Sequence, residues 1–189
     1  PAAAEMACAK EALGFGNRDF VVGMVANFRP EKNHDVLFAG ALEAKRKIPG
    51  LKLLLVGGGP LFEHYKTRYG HPSSGVGAVF SGPSKRIQQY LHAMDVACLI
   101  PGANEGFSNA VLEKMATGLP LVVSDIGGNA EAVINGRNGI VIPPNDHCAL
   151  ARALVVMHAD PVKRRAMGRD SRRLVEEQFS LHRMWHSYE

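Results

Sequence analysis

The chain is poor in the groups that make covalent staples and metal cages. Its three cysteines, Cys8, Cys98 and Cys148, are odd in number and far apart, with no C-x-x-C pair. That argues against a disulfide framework or a cysteine-based zinc site and fits a reducing cytoplasmic setting. No apolar run approaches the roughly 20 residues that a membrane-crossing helix needs, and no signal-peptide pattern is visible. An Asp-x-Asp pair for a metal–diphosphate site is lacking. His182 and His186 stand i, i+4 apart without a third ligand, so no metal is expected. Aromatic residues make up only 7% of the chain, and no aromatic-interleaved basic surface or binding motif is visible, which argues against nucleic acid. Beginning at Pro1 rather than Met, the sequence reads as a fragment or a processed product.

What is there suits one domain with a full core: 189 residues, 46% hydrophobic and 21% charged. The net charge of +4 is mostly local. Lys163, Arg164, Arg165, Arg169, Arg172 and Arg173 crowd one late helix, whose favoured reading is a solvated face. Contact with anionic lipid at the cytoplasmic membrane face is the minority reading.

Short apolar runs alternate with amphipathic stretches. Strands are expected at 20–26, 51–56, 78–80, 96–100, 119–123 and 140–142. Helices are expected at 2–13, from about 36 to 48, 61–69, 84–93, 108–117, 130–134, after Asp146, from 161 to about 178, and 181–189. This order predicts an α/β, Rossmann-like, doubly wound parallel sheet flanked by helices. Residues 1–19 read as a linker or terminal helix, 20–179 as the ligand-binding domain and 180–189 as a separate last helix.

In such sheets ligands sit beyond the carboxyl ends of the strands. The loops there, 27–33, 57–60, 81–84, 101–108 and 124–129, are glycine-rich, polar or charged, whereas the opposite connections are plainer. The stretch 105–113, Glu-Gly-Phe-Ser-Asn-Ala-Val-Leu-Glu, places an acid before a helix start and a second acid about one turn in. Unpaired N–H groups at a helix start suit a phosphate, and flanking carboxylates suit sugar hydroxyls. Val111, Leu112, Met115 and Ala116 are expected to form the buried stripe, with Glu113 at its flank and Lys114 pointing outward. On spacing alone, a capping acid plus a surface glutamate is an equal reading. Gly57-Gly58-Gly59-Pro60 fails the dinucleotide pattern G-x-G-x-x-G, because Phe62 stands at the third glycine. Gly106–Ala110 does not follow a strand directly, as a serine nucleophile elbow must. Arg29 and Lys32 could neutralise a departing diphosphate; an exposed basic pair is the plainer reading.

Taken in order, Arg29-Pro30-Glu31-Lys32, Val56 to Pro60, Phe80-Ser81-Gly82, Glu105 to Glu113, Gly118-Leu119-Pro120, Gly127 to Glu131 and Asn138-Gly139 resemble the C-terminal half of retaining glycosyltransferases of family 4, also called group 1, which have GT-B architecture. The resemblance runs from about residue 20 to the end, and the E-x7-E stretch is its specific part. It implies a nucleotide-sugar donor of UDP or GDP type, no cofactor and no metal. Glu105 would meet the transferring sugar, Glu113 the ribose and Lys32 the diphosphate. Backbone around Gly106, Phe107, Ser108 and Asn109 would hold sugar and diphosphate, and Gly82, Arg86 and Ile87 would lie by the base. Arg29, Gly57 and Gly59 complete the implied donor site. Asn27 stands where the family often has arginine, and Arg29 is a candidate substitute. The resemblance also implies an N-terminal acceptor-binding domain that this sequence does not include. Donor binding with little or no transfer is therefore expected of this piece, with residues 180–189 crossing back to that domain. The alternatives are an epimerase or phosphorylase of the same architecture, or a non-catalytic nucleotide-sugar-binding module.

Overall fold

Apolar runs too continuous to alternate in and out of water form the strands. β1 (Phe20–Val25) and β2 (Leu51–Val56) are buried along nearly their whole length, as parallel strands covered on both faces must be. The computed structural model describes residues 2–103, 106 and 109–178. The remaining strands are β3 (Ala78–Gly82), β4 (Val96–Leu99), β5 (Leu121–Ser124) and β6 (Gly139–Ile142). Among the described residues they make one six-stranded sheet, β3-β2-β1-β4-β5-β6, in which neighbouring strands run parallel. The expected Rossmann-like sheet is present.

Helices α1 (Ala3–Ala12), α2 (His34–Lys45), α3 (Phe62–Tyr69), α4 (Ile87–His92), α5 (Asn109–Ala116), α6 (Asn129–Ala132), α7 (His147–Ala159) and α8 (Pro161–Gln178) connect and cover the strands. Side chains alternate across a strand, and the packing follows that period. Phe20, Val22 and Met24 of β1 pack with Leu37 and Phe38 of α2 and Leu150 and Leu154 of α7. Val21, on the opposite face, packs with Leu91 of α4 and the α1 side chain Ala9. A third cluster joins Val111 and Met115 of α5 to Leu121, Val123 and Leu174. Each fully buried leucine of β2 stabilises the fold by roughly 1.5–3 kcal/mol.

Element boundaries differ from expectation where local chemistry intervenes. α4 begins at Ile87 rather than Ser84, because Arg86 is non-helical at φ −100°, ψ 58°. Its N–H donates instead to Ser84 Oγ at 3.0 Å, a local turn that competes with the helix. β5 starts at Leu121, one residue past Pro120, which has no N–H to give the ladder. As expected, Asp146 caps α7, accepting from the Ala149 N–H at 2.7 Å.

The N-terminal helix is part of the body. Lys10 of α1 is buried, pairs with Asp95 at 2.6 Å and donates to the Asp19 carbonyl at 2.9 Å. The last helix expected at 180–189, with His182 and His186, lies outside the described residues.

Candidate donor site at the carboxyl rim of the sheet

The strand order reverses between β1 and β4. Loops leaving these two strands diverge to opposite faces, which opens a crevice at the carboxyl rim. The loop after β1 is pinned by Phe28, which is fully buried. Its ring stacks on His34 at 4.2 Å and meets Phe62 edge-on at 5.1 Å. Its N–H donates to Gly58 O at 2.8 Å, and its carbonyl accepts from Leu61 N–H at 3.1 Å. With Phe28 fixed, Arg29 is left exposed and Lys32 half-buried in the one-turn 3-10 helix Pro30–Lys32. Asn33 then takes a left-handed conformation, φ 59°, before α2 begins, a conformation asparagine tolerates better than most residues.

The loop after β4 is tied to this one. Gly102 N–H donates to Glu31 O at 3.0 Å. Just before it, Pro101 O accepts from the buried Ser124 hydroxyl at 2.8 Å, so the end of β5 is included. Asn33 Nδ2 donates to Asn145 Oδ1 at 2.9 Å, drawing in the loop that leads to α7. On the other side, Gly57 N–H donates to Gly82 O at 3.0 Å. The rim is thus one hydrogen-bonded belt made of chain segments distant in sequence.

Gly57 and Gly59 serve that belt. At φ 143°, a Cβ on Gly57 would stand 2.1 Å from Ala26 O. At φ 140°, one on Gly59 would stand 2.8 Å from Phe28 O. Both glycines let the β2 loop lie directly on the β1 loop. Gly82 is also left-handed, at φ 72°. Arg86 is exposed, whereas Ile87 packs partly into the cluster behind α4.

From the E-x7-E stretch, Gly106 is exposed, Asn109 is exposed at the start of α5, and Glu113 is exposed on the same helix face four residues on. Glu105, Phe107 and Ser108 lie outside the described residues. Two expectations for α5 are corrected. Lys114 does not point outward: it is 1% exposed and donates from Nζ to Ala110 O at 2.9 Å. Its long apolar stem is what allows it to be covered, provided the ammonium is bonded. Ala116 is exposed, so Val111 and Met115 carry the buried stripe, with Leu112 half-buried. The stripe is rotated because α8 packs on α5.

Sequence reasoning missed His34. It is 1% exposed, and its Nδ1 has no hydrogen-bond partner. Burial lowers its pKa to about 4; neighbouring Asp35 opposes the shift, and Lys32 adds to it. The imidazole is therefore neutral at physiological pH and acts as an aromatic plate under the Lys32 loop. A histidine set between Asn33 and Asp35 carries no sequence signal for burial. The Asn33–Asn145 and Gly102–Glu31 contacts were equally illegible.

Among the described residues, Glu43, His147 and Cys148 bring metal-competent atoms within 4.8 Å of one another. This trio is on the surface between α2 and α7, not in the rim belt. A hydrogen bond from Cys148 to Glu43 raises the thiol pKa, which disfavours the thiolate a metal would need.

A scan against family models matches residues 8–174 to the family described as glycosyl transferases group 1. The chain belongs to the group 1 glycosyltransferases. One relative, 33% identical over 167 residues, is the GDP-mannose-dependent alpha-(1-6)-phosphatidylinositol monomannoside mannosyltransferase of Mycolicibacterium smegmatis; the match covers 84% of this chain and 44% of that protein. Anabaena Alr3699/HepE, solved in complex with UDP, superposes with a TM-score of 0.87 at 22% identity, over 100% of this chain and 52% of HepE. The C-terminal domain of the group 1 protein LpcC from Francisella tularensis matches at a TM-score of 0.80 and 17% identity, over 92% of both chains. This glycosyltransferase chain spans less than half the length of the curated relatives it matches, and its fold is that of a GT-B C-terminal half. No helix among its described residues is long and apolar enough to cross a membrane.

Proposed function

We propose that this chain is the donor-binding half of a retaining glycosyltransferase and that it takes a UDP- or GDP-linked sugar. The observation that carries the reading is the Gly102–Glu31 hydrogen bond at 3.0 Å. It closes the basic β1 loop against the segment leading to α5, at the point where the sheet reverses. The mannosyltransferase relative names a GDP-sugar and HepE was solved with UDP, so both bases stay in view.

In the proposed reaction, the bond from the sugar's anomeric carbon to the diphosphate oxygen breaks, and its electron pair leaves with the diphosphate. The acceptor hydroxyl oxygen bonds to that carbon from the same face, and its proton passes to a departing diphosphate oxygen. Lys32, with Arg29 beside it, would offset the charge that grows there. Glu105 would hold the sugar. Glu113, four residues into α5 and so about 6 Å along it, would reach the ribose beyond a diphosphate held at the helix start. Acceptor binding would belong to a separate N-terminal half. The three unpaired thiols, Cys8, Cys98 and Cys148, suit a reducing compartment.

The test is calorimetric or NMR titration of the chain with UDP and GDP. Binding of one of them, weakened by Glu113→Ala and by Lys32→Ala, is expected. No binding of either at millimolar concentration, with no effect of the two substitutions, overturns the donor-site reading.

A further inference from the structure

At the opposite end of the sheet from the rim lies a cavity of about 840 Å³, walled by α1, the turn into β4, the turn from α5 into β5, and α8. That volume falls within the roughly 300–1,000 Å³ of small-molecule sites. Met6, Met94, Leu119 and Pro120 give it an apolar floor. Its charges are lopsided, and its cations differ in what they already bind. Lys10 and Arg164 bracket Asp95 at 2.6 and 3.6 Å. Arg172 and Arg173 pair with Glu176 and Glu177 along their own helix. Arg165 and Arg169 also line the cavity. Both are exposed, and neither has an ion pair or hydrogen bond among the described residues.

Arg165, Arg169 and Arg173 are spaced i, i+4, i+8, so they stack on one face of α8 and repel one another. Guanidinium forks facing one opening are suited to a phosphate, which they can grip with paired N–H donors. The methionine and leucine floor beneath them suits an apolar body attached to that phosphate.

We propose that this cavity is a second ligand site, separate from the donor rim, for a phosphate ester that carries an apolar substituent. The two sites are on opposite ends of the strands, so a nucleotide at the rim leaves the cavity open. The ligand is either a free amphiphilic phosphate or the headgroup region of an anionic lipid, and the two sources are told apart experimentally.

The chain, labelled at its methionine methyl groups, is titrated with octyl phosphate below its micelle concentration, with octanol and with inorganic phosphate, each with and without saturating UDP. In parallel it is mixed with phosphatidylglycerol vesicles. The expected result is saturable shifts of the Met6 and Met94 methyls by octyl phosphate, unaffected by UDP and weakened at least about tenfold in Arg165→Gln/Arg169→Gln. Octanol and phosphate alone should bind more weakly. Vesicle binding that shifts the same methyls and is lost in the same variant assigns the lipid source. The proposal is overturned if octyl phosphate and vesicles leave Met6 and Met94 unshifted. It is also overturned if UDP displaces octyl phosphate, or if the double variant binds as the parent does. Both arginines are exposed, so the variant should keep the parent's circular dichroism and melting temperature.

Discussion

The N–H of Gly102 donates to the carbonyl of Glu31 at 3.0 Å, joining two loops that leave the sheet on either side of its reversal point. The Asn33–Asn145 pair beside it needs the space that Gly102 leaves by having no side chain. A Cβ there would stand 2.8 Å from Asn145 Oδ1 and 3.2 Å from Asn33 Nδ2. Gly102→Ala should push the Asn33–Asn145 pair apart and loosen the β1 loop. We expect about a fivefold loss of nucleoside diphosphate affinity, roughly 1 kcal/mol, measured by calorimetry. Unchanged affinity would detach this contact from the donor site.

Glu113 offers a cleaner separation of function from stability. Its side chain is exposed on α5, so Glu113→Ala should change unfolding free energy by no more than about 0.5 kcal/mol. Nucleotide affinity should fall about tenfold through loss of a charge-assisted bond to the ribose. Urea unfolding and UDP or GDP titration of the same sample test both halves of this expectation.

Gly57 should behave in the opposite way. A β-carbon 2.1 Å from Ala26 O cannot be accommodated without moving backbone. Gly57→Ala is therefore expected to destabilise the fold by roughly 2 kcal/mol or more, seen as a lower urea midpoint, with a displaced β1 loop.

His34 makes stability depend on pH with a definite sign. Burial holds its pKa at about 4, below the ordinary 6.5, so between those values the unfolded chain takes up a proton that the folded one refuses. Stability is thus intact above pH 6.5 and falls as the pH drops towards 4, by up to roughly 3 kcal/mol. Urea midpoints measured from pH 7 to pH 4 should decline, and His34→Phe should flatten that part of the decline. An identical slope in the variant would mean other groups cause it.

Asp95 accepts from both Lys10, at 2.6 Å, and the Val21 N–H, at 2.9 Å, in a nearly dry setting. Asp95→Ala strands a buried ammonium, which typically costs about 3–5 kcal/mol. Replacing Lys10 with methionine as well should recover part of the loss, because two apolar groups need no partner. The four proteins form a double-mutant cycle by urea unfolding.

The sequence by itself determined the layering and direction of this fold. Phe20–Val25 is apolar throughout and Leu51–Val56 is apolar but for Lys52, and the stretches between them repeat with helical period. That combination can only be buried as parallel strands under two layers of helix. It also marked the rim by the glycine-rich and polar loops that follow the strands, and it marked Asp146 as a helix start. These are local signals, written within one turn or one strand. The tertiary structure alone decided which loops meet and which charges are hidden. Lys114 reads as an outward residue, yet it is 1% exposed, its ammonium bonded to Ala110 O one turn back. Lys10 and Asp95 are 85 residues apart, and neither carries a sign of the other. The arginines of α8 read as a solvated face until α1 and the turns into β4 and β5 close around them. Contacts between segments far apart in the chain leave no periodicity and no turn chemistry, so they exist only once the sheet has formed.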